Sequence, residues 1–276
     1  MFWKYHGIGN DFILFEDFES STSKDPDFVR RLCDRRFGVG ADGILYINSA
    51  LDADAGMRII NADGSEAEMC GNGIRCVAKH LYDFSIVKKR RMMISTLSGP
   101  KKIECGVEDG QVKWVSVDMG APSFDCKDIP MKCSGKFVDK IVRVGGMDVK
   151  GTAVSMGNPH FVTFQRMSDA RMKELGPKIE SHPIFPKRTN VEFARLVDSG
   201  LDVSIYERGA GWTLACGTGA CASAVAAAVR GSISYDEDVE VRLPGGSLWV
   251  NVARDLSSVK MRGPAVRVFE GEVENW

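Results

Sequence analysis

Apolar residues recur along this chain at two spacings. Short alternating or β-branched runs at 11–15, 43–47, 57–60, 102–107 and 112–117 predict strands, and so do runs at 161–164, 191–196, 201–206 and 239–252. Asp25-Pro26 opens a predicted helix that continues to about Arg36, because Asp accepts free amides at a helix start and proline is preorganised for the first position. Two further helices are predicted from about Asn72 to Tyr82 and from about Thr218 to Val229. The second is so rich in alanine that burial on nearly every side is expected. Many short strands around a few helices indicate an α/β (α+β) protein, in which each of these two helices is the central helix of its own domain.

The pattern occurs twice. Cys70 opens CGNGIRC and Cys216 opens CGTGAC, 146 positions apart. Upstream, Gly9-Asn10 in GIGNDFILF is echoed by Gly157-Asn158 in SMGNPHFVTF, at an offset of 148. Asp42 in FGVGADGILYI has Asn190 in KRTNVEFARL as its counterpart at the same offset. Asn61 falls opposite Glu207, and Ala62 opposite Arg208. Repetition in one order points to a duplicated domain whose copies contribute unequal halves to one site. The expected domains are 1–119 with 264–276, carrying Cys70, and 120–263, carrying Cys216. Their join is expected near Gly120-Ala121-Pro122.

Composition narrows the class. The chain has 276 residues, 44% hydrophobic and 26% charged, enough for two ordinary cores. Its formal charge of −1 invites neither nucleic acid nor membrane as the main partner. The basic run Lys88 to Arg91 reads as a solvated connection. No apolar stretch reaches spanning length, and the opening MFWKYHGIGNDF has no secretory pattern, so a cytoplasmic location is expected. In that setting the 8 cysteines are expected as free thiols.

The glycines behind the two repeated cysteines have a physical purpose. Gly71 and Gly73, like Gly217 and Gly219, let successive backbone amides converge at a helix start, where the partial positive charge suits a carboxylate. The same field would stabilise an α-carbanion and favour the thiolate of a neighbouring cysteine. If the two domains fold alike and face one another, one thiolate and one thiol can remove and return a proton on opposite faces of a carbon. Such chemistry needs no cofactor, and neither motif contains a lysine for a pyridoxal imine.

Duller readings stand beside these. Cys33, Cys105, Cys126 and Cys133 are expected as small buried hydrophobes, and Cys76 and Cys221 as helix packing. Zinc is disfavoured by the spacing of Cys70 to Cys76 and Cys216 to Cys221, so no metal is expected. Gly38-x-Gly40-x-x-Gly43 resembles a dinucleotide fingerprint, but a strand-like ILYI follows it where a helix is required. His160, after Asn158-Pro159, is a candidate site neighbour or a structural histidine.

GIGNDF, NADGSEAEMCGNGIRC, GNPHFV, TNVEF and YERGAGWTLACGTGACA together resemble the diaminopimelate epimerase family, in its order and over essentially the whole chain. Asn72 replaces the histidine of the related proline racemases. The resemblance implies two pseudo-symmetric, barrel-like domains, a homodimer, and Cys70 and Cys216 as acid/base residues. It implies that amides of Gly71-Asn72 and Gly217-Thr218 hold the reacting carboxylate and that Asn10 holds the reacting amino group. Asn61, Asn158, Asn190, Glu207 and Arg208 would grip the distal amino-acid head. That grip also follows from chemistry, since a second zwitterionic head needs a cation and acceptors. Gly43 stands where many relatives carry glutamine and Trp212 where glutamate is frequent, departures that bear on affinity rather than on the thiols. The alternatives are a cysteine-pair racemase for another amino acid and a non-catalytic amino-acid-binding protein.

Overall fold

The computed structural model describes residues 1–198 and 200–273. The chain divides into two compact units, the first comprising Met1–Asp118 and the chain from Arg262 onward, the second Met119–Met261. The first unit runs β1 (Phe2–Gly7), β2 (Asn10–Glu16), α1 (Pro26–Cys33), β3 (Gly43–Asn48), β4 (Ala55–Asn61), β5 (Glu66–Ala67), α2 (Gly71–Asp83), β6 (Arg91–Ser95), β7 (Lys101–Glu108) and β8 (Gln111–Asp118). The second runs β9 (Lys140–Val144), β10 (Met147–Ser155), β11 (Pro159–Thr163), α3 (Asp169–Glu180), β12 (Asn190–Val197), β13 (Gly200–Glu207), β14 (Gly211–Thr213), α4 (Gly217–Val229), β15 (Asp238–Leu243) and β16 (Gly246–Val252). After β17 (Val259–Gly263), β18 (Val266–Gly271) pairs antiparallel with β1.

The same pairing sequence occurs in each unit. In the first, β1–β2 is antiparallel, β2–β3 parallel, β3–β4 antiparallel, β4–β6 parallel and β6–β7 antiparallel. In the second, β10–β11, β11–β12, β12–β13, β13–β15 and β15–β16 repeat those senses in order. Helix α2 packs on β1, β2, β3, β4, β7 and β8, and α4 on β10, β11, β12, β13, β15 and β16. A helix touched by strands from across a sheet lies inside that sheet's curve. Its composition follows: α4 buries every residue from Gly219 to Ala228, and alanine lets the strands approach on all sides. Helix α2 buries Ile74, Cys76, Val77, Ala78 and Leu81, together with Arg75, whose guanidinium donates to the Gly71 and Pro264 carbonyls.

Strand register refines the repeat. Phe12 lies opposite Gly43 in the first unit and His160 opposite Asn190 in the second. The counterpart of Asn190 is therefore Gly43 rather than Asp42, and by the same ladders that of Glu192 is Leu45. A Cβ on Gly43 would fall 2.7 Å from the Ile60 carbonyl oxygen, so glycine fits the close approach of β4 at that point. Trp212 is packed beside Phe193 and Tyr206.

Several local expectations are corrected. Helix α1 stops at Cys33 rather than near Arg36, because the Asp34 carboxylate accepts the amides of Arg36 and Phe37 and turns the chain. The stretch 239–252 is two strands broken at Pro244-Gly245. Helix α3 escaped the sequence reading because Gly176 and Pro177 lie within it, while Ser168 caps its start. Cys126 and Cys133 are not free thiols. The backbone folds Met131 back onto the Cys126 carbonyl, which brings their Cα atoms to 5.7 Å and joins them in a disulfide. Cys33, Cys70, Cys76, Cys105, Cys216 and Cys221 are free thiols. Among the described residues, no helix is long and apolar enough to cross a membrane.

Asp25 accepts the amides of Asp27 and Phe28 at 2.9 and 3.2 Å. Asp25→Ala is expected to cost about 1 kcal/mol of stability, read from the urea midpoint. An unchanged midpoint would show that the cap does not hold α1.

Candidate active site

In the first unit, Cys70 is the extended residue just before α2, and its Sγ lies 3.4 Å from the Gly73 amide. That contact requires glycine at 73, where a Cβ would fall 2.8 Å from Leu45 Cδ2. Asn10, at the start of β2, turns Oδ1 toward the Cys70 sulfur at 3.8 Å and accepts from Asn72 Nδ2 at 3.1 Å. Its Nδ2 donates to Asp42 Oδ2 at 2.7 Å. A carboxylate only accepts, so this bond fixes which end of the Asn10 amide faces the cysteine. Asp42 is itself held by the Asp11 amide at 3.1 Å and by Arg35 at 2.7 Å. Arg35 and Lys4 also bind Asp11 and, against the effect of burial, hold its carboxyl below the usual range. Asn61, at the end of β4, donates to Ser65 Oγ at 3.0 Å.

In the second unit, Cys216 is the extended residue before α4, and its side chain makes no cap bond to the helix amides. Its Sγ instead meets the Thr218 hydroxyl at 3.6 Å. Asn158 Nδ2 donates to that hydroxyl oxygen at 3.3 Å, and Asn158 Oδ1 meets His160 Nε2 at 2.9 Å. His160 Nδ1 meets Glu192 Oε1 at 2.7 Å, with both side chains fully buried. His160 is thus joined through Asn158 and Thr218 to the cysteine. Asn190 uses both ends of its amide on the backbone, donating to the Pro159 carbonyl and accepting the Arg208 amide, each at 2.9 Å. Glu207 accepts from the Thr213 hydroxyl at 2.5 Å, and Glu180 accepts the Gly209 amide at 3.2 Å, which pins the Glu207-Arg208 turn.

The thiolate expected at each helix start is not favoured at Cys216, where burial outweighs the field of the helix. Burial, then the Glu207 and Glu192 carboxyls, push the Cys216 thiol well above its ordinary range. Burial raises Cys76 and Cys105 to about 12 and Cys33 to about 11, so packed thiols of this kind stay protonated at neutral pH.

The structure therefore gathers Asn10, Cys70, Gly71 and Asn72 in the first unit. In the second it gathers Asn158, His160, Cys216, Gly217 and Thr218, with Asn190, Glu207 and Arg208 on the adjoining strand ends. Sequence reasoning missed the parts played by Asp42, Glu180 and Glu192. For Glu192 a signal existed: a carboxylate in the strand NVEFA, two positions from Asn190 and flanked by apolar residues, points into packed structure. Among the described residues, no group of three or more His, Cys, Asp or Glu could hold a metal ion.

The family model described as diaminopimelate epimerase matches residues 2–124 and 152–268. The diaminopimelate epimerase of Acetivibrio thermocellus is 44% identical over 276 residues, covering 99% of this chain and 98% of that protein. The diaminopimelate epimerase of Methanothermobacter thermautotrophicus is 46% identical over 282 residues, covering 98% and 97%. A probable proline racemase from Agrobacterium radiobacter shares the fold, with a TM-score of 0.73 at 15% identity over 99% of this chain and 92% of its own. A hydroxyproline epimerase from Agrobacterium vitis does likewise, at 0.69 and 16%, over 97% and 88%.

A Cβ added to Gly219 would fall 2.6 Å from Ile205 Cδ1, 3.0 Å from Glu192 Oε1 and 3.3 Å from Cys216 Sγ. Gly219→Ala is expected to destabilise the protein by about 1–3 kcal/mol, measured by urea unfolding. Parental stability in that variant would contradict the packing described.

Proposed function

The chain belongs to the diaminopimelate epimerase family, and we propose that it interconverts LL-2,6-diaminopimelate and meso-diaminopimelate, without a cofactor, in lysine and peptidoglycan precursor synthesis. Inverting an α-carbon requires a base to take the proton from one side and an acid to supply one from the other. In this reading Cys70 and Cys216 are those two groups. The observation that carries it is the paired arrangement itself: each unit puts a free cysteine just before a buried helix whose first residues include two glycines.

The remaining roles follow from charge. The first amides of each helix, at Gly71-Asn72 and Gly217-Thr218, suit the reacting carboxylate and the negative charge that spreads onto it as the proton leaves. Asn10, oriented by Asp42, offers an acceptor oxygen for the reacting amino group. Arg208 takes the distal carboxylate, and Glu207, Asn61 and Asn158 supply acceptors for the distal ammonium. Asn190 contributes through the Arg208 backbone that it fixes. His160 supports the site through Asn158. A racemase for a single-headed amino acid would have no use for Glu207 and Arg208, and this favours a substrate with two polar heads. The enzyme acts in the cytoplasm as a homodimer, and the exposed Val266, Val268 and Phe269 of β18 support association.

Run in deuterium oxide with either isomer, the reaction is expected to place solvent label on the α-carbon. Cys70→Ala and Cys216→Ala should each lower turnover by about 10²–10⁴-fold without unfolding the chain. Unlabelled product, or substantial turnover in either variant, would rule out the two-thiol scheme.

A further inference from the structure

Strand register pairs each position of the first unit with one of the second, and at two of those positions the chemistry around the cysteine differs. Leu45 of β3 corresponds to Glu192 of β12, and Asn61 of β4 corresponds to Glu207 of β13. The helix glycines show how near the first of these residues comes. A Cβ built on Gly73 would meet Leu45 Cδ2 at 2.8 Å and Cys70 Cβ at 3.6 Å. A Cβ built on Gly219 would meet Glu192 Oε1 at 3.0 Å and Cys216 Sγ at 3.3 Å. A carboxyl therefore stands across the glycine from Cys216 where a methyl group stands near Cys70.

Glu192 is an expensive residue to keep in that place. Its side chain is fully buried, Oε1 is bound to His160, and Oε2 has no hydrogen-bond partner among the described residues. A buried carboxyl with an unused acceptor costs stability that an aliphatic residue would not. The carboxyls acting on Cys216 are Glu207 from β13 and Glu192 from β12, with His160 of β11 behind Glu192, and the Thr218 hydroxyl and Gly219 amide of its own helix oppose them. Glu207 is drawn by the Thr213 hydroxyl. Glu192 is anchored by the imidazole, so its oxygen cannot swing away from the sulfur without breaking a 2.7 Å bond.

We propose that Glu192 is a positioning residue that makes the two thiols unequal: held by His160 and packed across Gly219 from the Cys216 sulfur, its carboxyl keeps the proton on Cys216, which is the thiol of the pair at rest. The inference rests on the two-thiol reading only in giving that proton a use. Burial and the neighbouring carboxyls raise the Cys216 thiol in the same direction. His160 opposes the rise that burial imposes on the Glu192 carboxyl, and Glu192 thereby distinguishes by local polarity what the repeated helix starts leave symmetric.

The test follows alkylation by iodoacetamide across pH in the absence of substrate, with Cys70 and Cys216 quantified by mass spectrometry in the same digests. The parent protein is compared with Glu192→Gln, which keeps the shape and a bond to His160, and with Glu192→Leu, which installs the residue type of position 45. The Cys216 midpoint is expected to fall by about half a pH unit or more in both variants, a rise of about threefold in its labelling below the midpoint, while the Cys70 midpoint stays in place. An unchanged Cys216 midpoint in Glu192→Gln, or an equal displacement of both cysteines, would overturn the proposal. Should Glu192→Leu fail to fold, Glu192→Gln decides alone. Because no substrate is present, a parent protein inactive on diaminopimelate would sink the proposed function and leave this result standing.

Discussion

The structure depends on what happens at the first turn of two buried helices. A helix start leaves amide groups that its own backbone cannot satisfy, and burying them inside a curved sheet would be costly without a partner. In α2 the sulfur of Cys70 meets the Gly73 amide, and in α4 the Cys216 side chain makes no such bond. An anionic ligand is a natural partner for the amides that remain, because the helix charge and the donor directions both favour it. The same constraint explains the glycines: at 73 and 219 a single methyl group would collide with Leu45 or with Ile205 and Glu192. Glycine, cysteine and helix start are thus one device, used once in each unit.

Much of that device was legible in the sequence because it is local. Gly71 to Gly73 and Gly217 to Gly219 after a cysteine mark a helix start without side chains in the way, and the alanines of α4 announce a helix enclosed on all sides. The central strands were legible for the same reason, since their faces alternate or are β-branched over short runs. What escaped depended on contacts between distant segments or on competition within one. The stop of α1 is decided by the Asp34 side chain, and α3 was masked by Gly176 and Pro177 in its last turns. The Cys126–Cys133 bridge needed the backbone reversal at Met131, which no composition argument supplies. The repeat itself was read one residue out at Asp42, because only strand register shows that Gly43 is the partner position.

The two units depart from symmetry around their cysteines. Duplication provides two equivalent helix starts, but a substrate with one reacting centre and one distal head needs unequal surroundings. Asp42, Arg35, Asp11 and Lys4 form a charged frame behind Asn10 in the first unit. In the second, Glu192, His160 and Asn158 form a polar chain ending at Thr218, and Asn190 with Glu180 holds the Glu207-Arg208 turn. These polar groups have defined partners, some buried, as Glu192 and His160 are, and some exposed, as Arg35 and Asp42 are.

The proposed function requires that Cys70 and Cys216 serve one carbon, and mild oxidation followed by peptide mapping tests this most directly. If the two sulfurs reach a common atom, they can also reach each other, so oxidation should yield a peptide linking Cys70 to Cys216, together with loss of activity that a reductant restores. Full activity after oxidation, or linkage of either cysteine to a different partner alone, would contradict the account.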